Sequence, residues 1–291
     1  AMTRAIYAVL ERILEETRGE GSLRIIDGSL DRRVGTKGLG QLDARFGGAR
    51  FREDPLFAFK EQLRTGKRFS PRMERRLRAA FRPARLPAAV TRRLRASFIE
   101  LLETPGRKAP AVRSMHELGA LRHLFPPFER LTCLKKYDLY HQYTADEHSL
   151  QALGNLDELA EQEGGLLARM FDELAERTEL ALATLLHDIG KPSARGHARS
   201  GARTAEQLLR AFPLSKRSRS LVSFLVREHL LLSHYSQRRD MEDRDTGAQF
   251  VKSVRNHRNL KLLYLLTYAD LKATGPSVWT SWKESLLEDL Y

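Results

Sequence analysis

Apolar residues recur at spacings of three and four along nearly the whole chain, and this periodicity constrains the fold more than any other feature of the sequence. Such spacing gathers apolar side chains on one face of a helix. No segment shows a convincing period of two, the pattern of a half-buried strand, although residues 22–27 are a candidate for a short extended segment. The pattern therefore predicts an all-α protein built from helical bundles.

The expected helices fall into two groups on either side of Pro126-Pro127, a strong break in the helical pattern. In the first group we expect helices at 5–16, 54–63, 71–80, 87–102 and 111–118. In the second group we expect them at 146–162, 165–187, 198–211, 218–231, 245–254, 260–273 and 278–290. We accordingly predict a basic helical linker domain over residues 1–130 and a second helical domain over residues 131–291.

The formal net charge of +13 comes entirely from the first 130 residues, which carry 28 Lys and Arg against 15 Asp and Glu. Within that half, residues 64–95 hold 12 basic residues and one acidic residue, Glu74. Such a stripe could meet phosphate or an acidic partner. We favour a solvated helix face, or a surface that covers a neighbouring domain, because no aromatic residues alternate with the arginines between Arg82 and Arg95. Nucleic acid is not an expected partner.

Several protein classes are excluded by simple features of the sequence. The single cysteine, Cys133, excludes an intrachain disulfide and a multi-cysteine zinc site, and it fits a reducing, cytoplasmic compartment. The longest nearly apolar run, residues 180–186, is far shorter than the ~18 residues of a membrane helix. A P-loop ATPase is excluded because the sequence has no G-x-x-x-x-G-K-[ST] loop.

The sharpest chemical feature is the pair His187-Asp188, which directly follows the apolar run. Both side chains are costly to bury unless a partner compensates them. His148 lies upstream near the start of an expected helix, and Asp270 lies downstream inside another apolar helix. The order H…HD…D supplies two imidazoles and two carboxylates, which suit a divalent cation with open positions for water and phosphate.

This ordered set on an all-α bundle resembles the HD-domain metal-dependent phosphohydrolases. Longer segments resemble, more narrowly, the HD region of bifunctional PII uridylyltransferase/uridylyl-removing enzymes: residues 137–148, Arg238-Arg239-Asp240, the apolar run ending at Asp270, and residues 279–283. The resemblance covers residues 131–291. It extends more weakly upstream to residues 51–56 and 115–119, which look like the helical linker of that family.

The resemblance implies a hydrolase that cleaves the UMP–tyrosine phosphodiester of a uridylylated PII signalling protein in nitrogen regulation. The expected metal ligands are His148, His187, Asp188 and Asp270. Mn or Mg is expected first, although histidine ligands also accept Fe, Zn or Ni. Lys191 is expected to stabilise charge on the phosphate beside His187 and Asp188. Substrate binding or a second metal is assigned to His197, His229 and Arg239; for the two histidines, capping or core packing is an equal alternative.

Two further implications concern the rest of the protein and its function. The family's nucleotidyltransferase domain would precede residue 1 and its ACT domains would follow Tyr291, so we expect a fragment, with a free-standing relative as the alternative. The family often has a His-His pair where this chain has Glu228-His229. Two other functions stay open: an HD phosphohydrolase acting on a small nucleotide, and a non-catalytic HD regulatory or scaffold module.

Overall fold

The computed structural model describes residue 42 and residues 53–134, 143–193, 196–238, 243–275 and 278–291. Within these ranges the chain is helical apart from connections and an isolated bridge between Leu42 and Phe69, so the all-α prediction is confirmed. The expected helix at 5–16 and the extended segment at 22–27 lie outside the described residues. The helices are α1 (Phe57–Thr65), α2 (Pro71–Phe81), α3 (Ala88–Glu103), α4 (Lys108–Glu117), α5 (Leu121–Leu124), a 3₁₀-helix (Pro126–Leu131), α6 (Ala145–Leu159), α7 (Leu166–Asp172), α8 (Arg177–Leu186), α9 (His197–Leu209), α10 (Lys216–Glu228), α11 (Leu231–Arg238), α12 (Arg244–Val254), α13 (His257–Thr274) and α14 (Ser281–Glu288).

Side-chain caps begin several of these helices. Ser70 accepts the backbone N–H of Met73 at the start of α2, where Pro71 occupies the first helical position. Asn256 accepts the N–H of Asn259 at the start of α13 in the same way. These starts agree with the sequence, because short polar side chains compensate backbone donors that have no partner inside the helix.

The expected helix over 165–187 is wrong, since the structure contains two helices there. Helix α7 ends at Asp172 and α8 begins at Arg177. The connection is stabilised by tertiary contacts, because Leu174 is buried in the core and the Arg177 guanidinium donates to the Asp172 carbonyl at 2.8 Å. The expected helix over 218–231 likewise ends early, at Glu228, and α11 begins at Leu231.

Helix α8 lies at the centre of the second half of the chain. It contacts α6, α10 and α13, and its residues 180–186 are all buried. Burial on all sides explains why residues 180–186 are apolar around nearly the whole circumference of the helix rather than along one stripe. The chain that leaves α8 therefore begins in the middle of the core.

The two halves of the chain share their apolar packing. Helices α3 and α4 of the first half contact α8 and α6 of the second half, respectively, and one hydrophobic cluster contains residues from both. The division between residues 130 and 131 stays a prediction. None of the described helices, the 18-residue α13 included, is both long enough and apolar enough to cross a membrane.

Candidate metal centre

Four side chains from three parts of the chain meet at the end of α8. His148 comes from the first turn of α6, His187 and Asp188 follow α8, and Asp270 lies on α13. His148 Nε2 is 3.2 Å from His187 Nε2 and 2.8 Å from Asp270 Oδ1. His187 Nε2 is 3.1 Å from Asp188 Oδ2 and 3.6 Å from Asp270 Oδ1. The structure thus brings together all four side chains of the H…HD…D pattern.

The burial of this cluster follows from the position of α8. His187 is the residue that ends the helix, so it and Asp188 enter the core directly and are 1% and 2% exposed. His148 is equally buried, whereas the Asp270 side chain is 16% exposed. The cluster is therefore closed by protein on most sides and reaches solvent near Asp270.

A backbone hydrogen bond determines which nitrogen of His187 faces the cluster. His187 Nδ1 donates to the Thr184 carbonyl at 2.7 Å, within the last turn of α8. Because a carbonyl only accepts, Nδ1 carries the proton, and in the neutral ring Nε2 carries the lone pair. Histidine ligands of metals are oriented in this way, by donating their other N–H to an acceptor behind them.

The charges of the cluster are strongly coupled. Burial alone would lower the pKa of His187, but the carboxylates of Asp188 and Asp270 outweigh burial and raise the pKa to about 9. Burial opposes ionisation of Asp188, yet His187 and Lys191 hold the pKa of this carboxyl well below its usual range. The pKa of Asp270 is lowered in the same sense, by His187 and His148. The two carboxylates therefore stay ionised and require positive charge beside them.

The donor set fits a divalent cation. Imidazole nitrogen and carboxylate oxygen are ligands that Mn, Fe, Zn and Mg accept. Neighbouring ligand atoms around an octahedral ion with bonds of about 2.1 Å lie about 3 Å apart. The two histidine Nε2 atoms lie 3.2 Å apart and are 2.8 to 3.7 Å from the Asp188 and Asp270 oxygens, which is close to that spacing. Ligand atoms of His148, His187 and Asp188 all lie within 4.8 Å of one another, a group that does not include Asp270.

A second group of ligand-type side chains shares Asp188 with the first. Ligand atoms of Asp188, His197 and His229 lie within 4.8 Å of one another. The ring centroid of His229 is 5.3 Å from that of His187 and 5.7 Å from that of His197. His229 Nδ1 donates to the Val226 carbonyl at 2.8 Å, which aims Nε2 away from its own helix. Burial and the charge of His187 lower the pKa of His229 to about 4, so this ring is neutral at physiological pH.

The remaining predicted site residues are Lys191 and Arg239. Lys191 Nζ lies 2.5 Å from Asp188 Oδ2, and a turn places the lysine there because its backbone N–H donates to the Asp188 carbonyl. Its ammonium group thus neutralises the carboxylate within the cluster. Arg239 lies outside the described residues.

Other residues hold the cluster in place, and sequence reasoning did not find most of them. The buried amide of Asn155 on α6 donates to the Ala269 carbonyl at 2.9 Å, next to Asp270. On α4, His116 Nε2 lies 2.9 Å from Asp146 Oδ2, two residues before His148. These pairings join residues 30 and 114 positions apart, so no local pattern marks them.

The first turn of α6 is also held by Arg113 of α4. Its guanidinium lies 2.6 Å from Glu147 Oε1 and makes a second, longer contact with Gln151. Glu147 directly precedes His148, so this ion pair supports the turn that carries His148. The first half of the chain therefore contacts the element that carries one of the four clustered side chains.

Comparisons with known proteins agree with this geometry. Residues 145–254 match the HD domain family. The chain is 41% identical over 199 residues to the bifunctional uridylyltransferase/uridylyl-removing enzyme of Methylococcus capsulatus, an alignment that covers 67% of this chain and 23% of the relative. It is 39% identical over 200 residues to the enzyme of the same name from Zymomonas mobilis, covering 67% of this chain and 22% of the relative.

A third relative is similar along the whole chain. The bifunctional uridylyltransferase/uridylyl-removing enzyme of Phenylobacterium zucineum is 33% identical over 305 aligned residues, which cover 100% of this chain and 32% of the relative. The chain therefore spans less than a third of the length of these relatives. The HD match and the relatives' shared name support a hydrolase, and the resemblance stated from the sequence is confirmed.

Proposed function

We propose that this chain, which carries an HD domain and resembles part of the bifunctional uridylyltransferase/uridylyl-removing enzymes, is a metal-dependent phosphodiesterase of the uridylyl-removing type. The substrate we propose is a PII signalling protein uridylylated on tyrosine, and the products are UMP and unmodified PII. The observation that carries the proposal is the buried convergence of His148, His187, Asp188 and Asp270. The name shared by the relatives supports the type of reaction.

In this proposal the four clustered side chains hold a divalent cation, with Mn or Mg expected first. A bound cation supplies polarisation of the phosphoryl oxygen and a lowered water pKa. Thr184 keeps Nε2 of His187 directed at the cation site, because its carbonyl accepts the Nδ1 proton. The side of the cluster near Asp270, which is open to solvent, admits the phosphodiester.

The reaction is a hydrolysis in which one bond forms and one breaks. The oxygen of water bonds to phosphorus, the bond between phosphorus and the tyrosine oxygen breaks, and that oxygen takes up a proton. Lys191 lies beside Asp188 and stabilises negative charge that develops on the phosphoryl group. We assign phosphate contact, or a second cation, to His197 and His229, and substrate contact to Arg239.

We also propose that this region works in one polypeptide with nucleotidyltransferase and ACT domains, in the cytoplasm. The greater length of the relatives and their bifunctional name support the presence of further domains. The division into a linker domain over 1–130 and an HD domain over 131–291 belongs to the same proposal.

The proposal is tested by metal content and turnover measured on the same samples. We expect about one ion per chain by elemental analysis after Mn is supplied. We also expect hydrolysis of bis(p-nitrophenyl) phosphate, and then of uridylylated PII with release of UMP. Asp188→Ala should lose both the ion and turnover. Asp289→Ala removes an exposed carboxylate of the same kind and should keep both.

Each outcome decides between the functions left open by the sequence. Turnover of free nucleotides but not of uridylylated PII would replace the proposed substrate with a small nucleotide. Absence of bound metal in the wild type, even with Mn supplied, would refute the hydrolase and favour the scaffold module.

A further inference from the structure

A groove of about 990 Å³ opens beside the candidate metal centre, between the start of α9 and the end of α10. One of its lining residues is His197, which also belongs to the ligand-type group around Asp188. The groove is also lined by Arg199 and Arg203 of α9 and by Arg227 of α10. Its volume lies at the upper end of the range typical of ligand sites, about 300–1,000 Å³.

Two of the three arginines have guanidinium groups available for a ligand. Arg199 and Arg203 are four residues apart on one helix face and are exposed. Neither makes an ion pair with another described residue. Arg227 differs, because its Nε lies 2.7 Å from Glu228 Oε1. Glu206 and Glu228 also line the groove, so its three arginines exceed its glutamates by one. Arg199 and Arg203 present two forks of N–H donors without an ion-pair partner, the geometry that binds carboxylates in pairs of hydrogen bonds.

The rest of the lining favours a peptide over a nucleobase. The other residues that line the groove include small and apolar ones, with Leu230 43% exposed among them. Apart from the imidazole of His197, no aromatic side chain of the described residues lines the groove, so a base would find no stacking platform. Extended polypeptide with acidic and apolar side chains matches both the charge and the surface.

We propose that this groove binds an acidic segment of the protein substrate, on the tyrosine side of the phosphodiester that is cleaved. The assignment rests on the proposed function, since it needs a phosphodiester held at the centre beside His197. The groove would then favour modified protein over free nucleotide, because acidic side chains of a polypeptide would add contacts with Arg199 and Arg203 that a free nucleotide lacks.

The test is direct binding, which needs no turnover. The probes are a fluorescein-labelled Glu-rich peptide with one tyrosine and the same peptide with Gln at every Glu position. By fluorescence anisotropy the full chain should bind the Glu peptide more tightly. The double substitution Arg199→Gln/Arg203→Gln should weaken that binding about tenfold or more, as expected for charged hydrogen bonds to two side chains.

A matched control separates this groove from the general basic charge of the protein. Lys216→Gln/Arg217→Gln removes the same charge from the exposed start of α10, outside the groove, and should change binding less than twofold. Equal binding of the two peptides, or equal loss in both double variants, would overturn the proposal. Tighter binding of a labelled single-stranded oligonucleotide through Arg199 and Arg203 would also overturn it.

Failure of this inference can be told apart from failure of the proposed function. Wild-type protein that hydrolyses bis(p-nitrophenyl) phosphate with Mn, yet shows no preference for the Glu peptide, would refute the groove assignment alone. Protein that prefers the Glu peptide, yet binds no metal and hydrolyses nothing, would refute the hydrolase while the acidic-peptide site stands.

Discussion

Gly190 is packed so closely against the first turns of α9 that no side chain fits there. A Cβ atom at this position would lie 2.5 Å from the backbone nitrogen of Gly201 and 2.7 Å from Ser200 Oγ, and it would also meet the His197 carbonyl. Real Cβ atoms do not approach backbone so closely, so α9 would have to move. Since α9 carries His197, this glycine allows that histidine to lie near Asp188.

We therefore expect Gly190→Ala to destabilise the fold by about 1–3 kcal/mol, the cost of overpacking a close contact. Gly154 provides the matched control, because a Cβ atom there meets nothing closer than the Ala109 Cβ at 3.7 Å. Gly154 lies inside α6, so Gly154→Ala should stabilise the protein by about 0.5–1 kcal/mol through helix propensity. Urea unfolding followed by circular dichroism measures both. Equal effects of the two substitutions would contradict the packing argument.

Asn155 supports Asp270 from behind through its hydrogen bond to the Ala269 carbonyl. Asn155→Ala should lower the free energy of unfolding by about 0.5–1.5 kcal/mol, because it removes a buried hydrogen bond. It should also weaken Mn binding, because the turn that carries Asp270 loses its support. Gln207→Ala, an exposed substitution on α9, should change neither quantity. Calorimetric titration with Mn that gives the same affinity for the wild type and Asn155→Ala would disprove the supporting role.

Among individual residues, the sequence predicted the members of the cluster but not the groups that hold them. His148, His187, Asp188 and Asp270 could be found because their residue types and order are unusual for apolar helices. The side-chain amide of Asn155 donates to the backbone carbonyl of Ala269, and the backbone carbonyl of Thr184 accepts from His187. A backbone carbonyl places no requirement on the side chain of the residue that carries it. Nothing in the sequence therefore indicates these two positions.

At the scale of whole elements, α4 begins with a cap supplied by another helix. Its own N-cap residue, Arg107, has a side chain that cannot accept a hydrogen bond. The buried carboxylate of Asp157 on α6 takes that role and accepts the Ala109 N–H at 2.7 Å. The contact links α4 of the first half of the chain to α6, which carries His148.

Asp157→Ala should lower the free energy of unfolding by about 1–2 kcal/mol, as for the loss of other helix caps. Asp157→Asn keeps an acceptor oxygen and removes the buried charge, so the loss should be smaller. Denaturant unfolding of both variants at neutral pH measures the difference. If Asp157→Asn and Asp157→Ala lower the free energy of unfolding equally, the Asp157 carboxylate does not act as a cap.

The same carboxylate predicts a dependence of stability on pH. Burial raises the pKa of Asp157 above its ordinary value of 3.8, although the N–H groups of α4 and the charges of Lys108 and Arg107 act against burial. The folded state then binds the proton more tightly than the unfolded state. The contribution of Asp157 to the free energy of unfolding is thus fully present below about pH 3.8. It is lost as the pH rises through the pKa that Asp157 has in the folded state. The stability of the wild type relative to Asp157→Asn should fall across that window.

The elements that the sequence predicted wrongly are those that tertiary packing interrupts. Residues 173–176 read Glu-Leu-Ala-Glu, which are strong helix formers with no glycine or proline, so local propensity continues the helix. In the structure the break lets Leu174 enter the core and directs α8 through the centre of the bundle. Helices with a clear cap and one apolar face, such as α2, were predicted within one residue.

For the molecule as a whole, the clustered side chains join three elements that are far apart in the chain. His148 precedes His187 by 39 residues, and Asp270 follows Asp188 by 82 residues. In the unfolded chain these groups separate, so a cation held by all four binds the folded state far more tightly. Such a ligand stabilises the fold by about 2.7 kcal/mol when its free concentration is a hundred times its Kd.

We accordingly expect Mn to raise the Tm of the wild type and EDTA to reverse the rise, as measured by differential scanning calorimetry. Asp188→Ala should show no rise, because it removes the carboxylate that both ligand-type groups share. Asp289→Ala should behave like the wild type, since this exposed carboxylate lies outside the cluster. A rise of equal size in Asp188→Ala would place the ion elsewhere on the protein and contradict the assignment. Stabilisation that requires Asp188 would instead place the ion at one of the two groups that share this carboxylate. Loss of the rise in His148→Ala as well would assign the ion to the group at the first turn of α6 and the end of α8.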